Sequence, residues 1–176
     1  MVRRIASSAL AAGLHPVMLV VGSRAERVVD CLGQLDVHTV ENARWASGMG
    51  SSIAAGVKAL MMQPAPLQSV MVMLADQPAI RVVDLESMLA RHSQSPDRIL
   101  ACQHEGRFSP PCIFPWSHAS ELAALDGAKG AHVLLEKRAA LVDGFNLPAA
   151  FFDIDTPEDY AAWLAHRGVT SMDASG

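Results

Sequence analysis

Apolar and polar positions fall along this chain in blocks that switch between helical and extended spacing. Ile5, Ala6, Ala9, Leu10 and Ala12 recur with helical period and predict a helix over residues 3–14, stopped at Gly13. Val17-Met18-Leu19-Val20-Val21 is an unbroken β-prone run ending at Gly22, as a strand buried on both faces requires. Ser23 is placed to cap a second helix with Val28, Val29 and Leu32 as its apolar face. A strand over 37–40 follows, then a loop through Asn42-Ala43-Arg44-Trp45. Ser51 or Ser52 caps the next helix, which runs to about residue 62, before Pro64 and Pro66.

Val70-Met71-Val72-Met73-Leu74 is the strongest strand and ends at Asp76-Gln77-Pro78, with a helix over 82–92 behind it. Beyond lie a strand over 99–102, a loop over 106–111 and a strand over 112–114. Two short helices, 119–125 and 131–137, and two last strands, 140–142 and 151–154, complete the pattern. Thr156-Pro157-Glu158-Asp159 opens a final helix with an N-cap and a proline at the first helical position. Residues 170–176 read as a polar tail beyond one domain spanning 1–169. Strands alternating with helices predict an α/β fold with a largely parallel sheet, and the short strands of the second half predict an antiparallel addition.

Composition narrows the partners. Within 176 residues, 14 Lys and Arg stand against 18 Asp and Glu, a net charge of −4 with no basic block. That argues against nucleic acid, whose binding depends on neutralising many phosphates. No apolar run approaches the ~20 residues that span a bilayer. Cys31, Cys102 and Cys112 are too scattered for a disulfide framework, which points to a reducing cytoplasm. Arg3-Arg4 and the Ala-rich stretch after it imitate a secretory signal, but Gly13-Leu14-His15-Pro16 cuts the apolar run that a signal keeps continuous.

Asp76 is the leading chemical candidate. A carboxylate just past a buried strand lies where open α/β sheets place their ligands, and it suits Mg²⁺, a hard cation that prefers oxygen. The alternative is an Asp that caps the following helix. Asp153 and Asp155 fall on one side of an extended stretch and are able to complete a metal site with Asp76, or Asp155 or Thr156 simply caps the last helix. Gly48-Met49-Gly50-Ser51-Ser52 begins like a dinucleotide fingerprint, yet Ile53 stands where the third glycine belongs. A Gly-rich turn with free helix N–H groups and serine hydroxyls still offers a pocket for a nucleotide's polar atoms. No P-loop and no nucleophile elbow occurs. Cys102, His104, Cys112 and His118 fit no standard zinc spacing.

Five segments in order resemble the MobA-like nucleotidyltransferases, in particular the molybdenum cofactor cytidylyltransferases. They are Asn42-Ala43-Arg44-Trp45-Ala46-Ser47-Gly48-Met49-Gly50-Ser51-Ser52-Ile53, Leu74-Ala75-Asp76-Gln77-Pro78, Pro110-Pro111-Cys112-Ile113-Phe114, Asp126-Gly127-Ala128-Lys129-Gly130-Ala131-His132, and Asp153-Ile154-Asp155-Thr156-Pro157-Glu158-Asp159. The resemblance implies a Rossmann-like, GT-A-like three-layer sandwich and transfer of CMP from CTP to a molybdopterin-type cofactor, with release of pyrophosphate. It implies Asp76 and Asp155 as Mg²⁺ ligands, Ser52 at the nucleobase, and Gly48 and Ser51 shaping that pocket. Gln77, Pro111, Gly130 and Asp153 would face the acceptor substrate. A molybdoenzyme or its chaperone is the implied protein partner.

Three positions depart from the family pattern. Ala43 replaces a frequent proline. His132 stands where an arginine usually follows Gly-Ala, and a largely neutral imidazole does not reproduce a bidentate guanidinium. The family's opening strand and phosphate loop, L-A-A-G-x-S-x-R-M-G-x-x-K, has no counterpart: Leu10-Ala11-Ala12-Gly13 imitates its start, but Leu14-His15-Pro16-Val17 follows. The expectation is a domain without its central first strand, leaving two apolar strand edges across a gap and an impaired enzyme. Two further readings stand beside it: a non-catalytic remnant that binds a molybdoenzyme or cofactor, and a sugar-phosphate nucleotidyltransferase.

Overall fold

The computed structural model describes residues 1–170, with side chains through residue 165. Among the described residues, seven α-helices and six strands follow in the order α1 (Val2–Ala11), β1 (Met18–Val21), α2 (Ala25–Leu32), β2 (His38–Glu41), α3 (Met49–Met61), β3 (Ser69–Val72), α4 (Val82–His92), β4 (Ile99–His104), β5 (Arg107–Pro115), α5 (Ala119–Ala123), α6 (His132–Lys137), β6 (Val142–Asn146) and α7 (Pro157–Thr170). Helix α7 takes in Thr170, the first residue of the expected tail. The rest of that tail lies outside the described residues.

The strands form two sheets. β1 and β2 pair in parallel, Met18 opposite His38 and Val21 opposite Glu41. The second sheet has the order β3-β5-β4-β6, with β5 antiparallel to both neighbours and β6 parallel to β4. The expected α/β architecture with an antiparallel addition is therefore present.

Period-two alternation distributes the core over both faces of the larger sheet. Ile99, Ala101, Cys112 and Phe114 point to one face, where Val57 and Leu60 of α3, Leu122 of α5 and Leu134 and Leu135 of α6 cover them. Leu100, Cys102 and Ile113 point to the other, under Ile80 and Leu85 and Met88 of α4. Three layers result. Cys102 and Cys112 thus serve opposite cores, and burial raises the pKa of each thiol, to about 12 for Cys102. They do not form a metal cluster.

Several local expectations are corrected. Of the stretch read as a loop over 106–111, Arg107 to Pro111 belong to β5, which turns back from β4 at Glu105-Gly106, both at positive φ. Pro110 and Pro111 lack ladder donors and sit where the register shifts, between the Ala101–Cys112 and Cys102–Ser109 pairs. The expected last strand over 151–154 is instead the end of a 3₁₀ turn, Pro148–Phe151, and an irregular segment after it. Ser23 does not cap α2: Arg24 occupies the N-cap in a left-handed conformation, and Val29 is 40% exposed. Neither Ser51 nor Ser52 caps α3, which starts earlier, after Gly48.

β1 and β3 do not pair with each other. Between them lies an apolar cavity of about 330 Å³. Consecutive residues of both strands line it, residues 17–20 and 69–75. Side chains of one strand face alternate directions, so an unbroken run along the lining means that the strand edges border the cavity. Helix α1 covers it with Ile5, Ala6 and Ala9, and α3 with Ile53, Gly56 and Val57. α1 packs beside α4 and α3 beside α5, which places these helices on opposite faces of the gap.

Candidate functional site

Two clusters of polar groups flank the upper end of this cavity. The first is the loop from β2 into α3. Asn42, 6% exposed, ends β2 with its backbone N–H bonded to the Val21 carbonyl. Its side-chain Nδ2 donates to Ser51 Oγ at 2.8 Å and to Ser52 Oγ at 3.0 Å, while its Oδ1 accepts from the Arg44 N–H at 2.9 Å. One amide therefore fixes both serines and the turn before them. Sequence reasoning assigned Asn42 no role, although an Asn two residues before a turn position is an Asx-turn signal.

Gly48 closes this loop at φ 114°, a conformation that a side chain rarely adopts, and a Cβ there would lie 2.6 Å from the Gly127 carbonyl. A Cβ on Gly50 would lie 2.5 Å from the Asp126 oxygen, and the Gly50 N–H donates to Gly127 O at 2.9 Å. The two loops dock backbone to backbone. The Asp126 carboxylate accepts from the Gly127 N–H at 2.9 Å, Ser47 Oγ at 3.0 Å and Arg44 Nη2 at 2.5 Å, bonds that hold its pKa below the usual carboxylate range. Gly130, at φ 53°, lies against Met49 and so belongs to the same contact.

The two serines differ in what they leave free. Ser51 Oγ, buried, lies within 3.0 Å of the Arg44 carbonyl and 2.8 Å of the Gly48 carbonyl and also accepts from Asn42, so its capacity is spent inside the loop. Ser52 accepts from Asn42, has no acceptor for its own O–H among the described residues, and lines the cavity.

The second cluster follows β3. The Asp76 backbone carbonyl accepts from the Ile154 N–H at 2.9 Å, which brings the 153–155 segment to the strand end. Ile154 is buried, and Asp153 and Asp155 on either side of it are exposed. Asp76 Oδ1 is buried with no hydrogen-bond partner among the described residues. Burial is the largest influence on this carboxyl and raises its pKa, and the negative charges of Asp153 and Asp155 push the same way. Asp76 is therefore not spent as a helix cap: Arg81 and Asp84 cap α4. Thr156 and Asp159 cap α7 reciprocally, Asp159 N–H to Thr156 Oγ1 at 3.1 Å and Thr156 N–H to Asp159 Oδ2 at 2.9 Å; the Asp155 N–H also reaches Asp159 Oδ2 at 3.3 Å, while its carboxylate stays out of the cap.

Two expected acceptor-side residues are sealed instead. Gln77 is 0% exposed, its Nε2 donating to the Ala150 carbonyl at 2.7 Å and to Ser109 Oγ at 3.1 Å. Pro111 is fully buried in β5, and its neighbour Pro110 reaches the surface of a second cavity of about 450 Å³. Phe108, Ser109, Lys129 and His132 line that cavity, which adjoins the first through Met49, Ile53 and Leu74.

The layered sheet, the helix crossover from β2 to β3 and polar groups gathered at the strand ends define a Rossmann-like α/β fold of the nucleotidyltransferase type. A family model for the MobA-like NTP transferase domain matches residues 1–142. The chain belongs to that family. Nicotine blue oxidoreductase of Paenarthrobacter nicotinovorans is 30% identical over 151 residues, covering 81% of this chain and 71% of that protein. Purine catabolism protein PucB of Bacillus subtilis is 31% identical over 128 residues; the match covers 70% of this chain and spans 58% of PucB. The crystal structure of Rv0371c from Mycobacterium tuberculosis H37Rv, complexed with manganese, superposes with a TM-score of 0.68 at 25% identity over 91% of this chain and 84% of that one.

Proposed function

We propose that this chain is built for CMP transfer from CTP to a molybdopterin-type cofactor, as a single cytoplasmic domain using Mg²⁺ held by Asp76 and Asp155. The observation that carries the reading is Asp76 Oδ1, a buried carboxylate oxygen left without a donor beside two further carboxylates. Such an oxygen fits a hard cation, and the manganese held by Rv0371c supports a divalent ion for this chain. Among the described residues no three His, Cys, Asp or Glu side chains converge to enclose an ion. That suits Mg²⁺, which takes one or two carboxylates and completes its shell with waters and phosphates.

When bound, the ion supplies charge neutralisation at the triphosphate. The chain's own groups position the reactants. Ser52, held by Asn42, offers its O–H to the nucleotide beside α3, and Gly48 and Ser51 fix that loop in place. The second cavity offers the acceptor the face of Phe108 together with Lys129 and His132 for an anionic group. The acceptor's phosphate oxygen attacks the α-phosphorus, and the bond to the β-phosphate breaks as pyrophosphate leaves. Gly130 and Asp153 border the reactants, while Gln77 and Pro111 act from within the core.

A second reading, non-catalytic binding of a molybdoenzyme or cofactor, draws on one observation. Among the described residues that line the two cavities, Lys129 is the one fixed positive charge, and Glu136 lies 3.9 Å from it in the same cavity, sparse provision for a triphosphate. Pyrophosphate release in the presence of Mg²⁺ and CTP, with molybdopterin or a panel of sugar phosphates as acceptor, separates the readings. Turnover with molybdopterin alone supports the first. Turnover with a sugar phosphate replaces it, and Asp76→Asn binding Mg²⁺·CTP as well as the wild type removes the carboxylate from the site.

A further inference from the structure

Asp126 lines neither cavity, yet it ties together the two loops that carry Ser52 and Lys129. Arg44 Nη2 donates to its Oδ2 at 2.5 Å, and Ser47 Oγ and the Gly127 N–H donate to its Oδ1 at 3.0 and 2.9 Å. Arg44 is itself fixed at the backbone, its N–H donating to Asn42 Oδ1 at 2.9 Å and its carbonyl accepting from Ser51 Oγ at 3.0 Å. Through one residue, the carboxylate reaches the same amide that holds Ser52.

Stability does not account for this clasp. The Arg44 and Asp126 side chains are 68% and 53% exposed, and an ion pair so open to water adds little to a fold. Its place between the loops does account for it. Their backbones already touch: the Gly50 N–H donates to the Gly127 carbonyl at 2.9 Å, and a Cβ on Gly48 or Gly50 would overlap the 126–127 backbone. Ser52 follows Gly50 by two residues, and Lys129 follows Gly127 by two. One backbone hydrogen bond acts as a pivot, about which two loops still turn. The ties from Asp126 to Arg44 and Ser47 stop that rotation, so that a displacement of one loop is passed to the other.

We propose that Asp126 is a positioning residue that couples the two subsites: acting through Arg44 and Ser47, it fixes Lys129 and His132 on the acceptor side when a nucleotide engages Ser52. The inference rests on the reading of a nucleotide beside Ser52 and an acceptor in the second cavity. Linkage adds the converse, that an acceptor seated against Lys129 and His132 tightens the nucleotide by the same factor.

The test uses the intact 176-residue protein and needs no turnover. Mg²⁺ complexes of CTP, UTP, GTP and ATP are titrated in turn. Amide exchange is followed by NMR at His132 and Leu134, whose N–H groups bond the Lys129 and Ala131 carbonyls at 3.1 and 3.0 Å. In the wild type, a bound nucleotide is expected to slow exchange at these amides at least about fivefold. Asp126→Asn keeps an oxygen for Ser47 and Gly127 but removes the charge that Arg44 meets. It is expected to bind nucleotide within about twofold of the wild type and to lose the protection. Arg44→Gln is expected to do the same, and the double variant to be no worse than either, since all three break one contact. A clasp that is merely structural would speed exchange with and without nucleotide alike and leave their ratio unchanged. That result, or a nucleotide that binds the wild type without protecting these amides, overturns the proposal alone. Binding of none of the four removes the nucleotide reading and the proposal with it. Protection by a nucleotide other than CTP supports the coupling and corrects only the choice of base. If Asp126→Asn does not fold, Arg44→Gln decides.

Discussion

Asn42→Ala is the sharpest test of how the β2–α3 loop is held. The side chain makes three hydrogen bonds of 2.8, 3.0 and 2.9 Å from a position 6% exposed. At about 1 kcal/mol net for each bond, its loss destabilises the fold by roughly 2–3 kcal/mol. The lower end applies if the Arg44 N–H turns to water, which its exposed residue permits. For a domain of this size that is a fall of about 5–10 °C in Tm. The assay is urea unfolding followed by tryptophan fluorescence, with Ser51→Ala and the double variant completing a cycle. Because Ser51 Oγ bonds Asn42 directly, the pair should couple by about 0.5–1.5 kcal/mol. Additivity within about 0.3 kcal/mol, or an Asn42→Ala cost below about 0.5 kcal/mol, would refute the claim that one amide organises both serines.

Gly50→Ala should destabilise by about 1–3 kcal/mol, because its Cβ would fall 2.5 Å from a backbone oxygen that has no room to move; thermal melts read this. Asp76→Asn should stabilise the ion-free protein at neutral pH. The folded carboxyl has a raised pKa, so its ionised form opposes folding above that pKa, and the advantage of Asn vanishes as pH falls below the ordinary value of 3.8; urea titrations from pH 3 to 8 test the sign. The same variant should weaken Mn²⁺ binding at least about tenfold by paramagnetic resonance titration. Glu121 is held at about pKa 2, chiefly by Lys137 and then by His118 and Arg138, so its contribution is full above 4.5 and lost as pH falls towards 2. Glu121→Gln should flatten the acid limb, by no more than about 1 kcal/mol since the group is partly solvated.

How much of this was legible in the sequence depended on whether the signal was local. Residues 17–21 and 82–92 were read nearly to their ends because continuous apolar runs and helical spacing need no tertiary partner to be recognised. The first part of the hairpin strand β5 was hidden by Gly106, Pro110 and Pro111, residues that mark loops unless a bulge in their own strand excuses the prolines, and only pairing with β4 reveals that. Residues 151–154 misled in the opposite way. Phe151 ends a 3₁₀ turn packed against the α4 side of the sheet, and Phe152 is exposed, so neither contributes to a ladder. At the site, the types were legible and the assignments were not. Ser51 and Ser52 are adjacent and alike in sequence, and only the positions of the Arg44 and Gly48 carbonyls show which one is spent. Gln77 and Pro111 sit in matching motifs yet face inward: Gln77 is sealed by its bonds to the Ala150 carbonyl and Ser109 Oγ, and Pro111 lies within the covered strand β5.

The cavity and the candidate site share residues, and that couples them. Ser52 of the Asn42 cradle and Leu74 and Ala75, the two residues before Asp76, all line the cavity between β1 and β3. β3 ends at Val72, so Met73, Leu74 and Ala75 lead to Asp76 without ladder partners among the described residues. On the proposed reading, a nucleotide that engages both Ser52 and Asp76 must also order that stretch, and the conformational entropy so lost subtracts from its affinity.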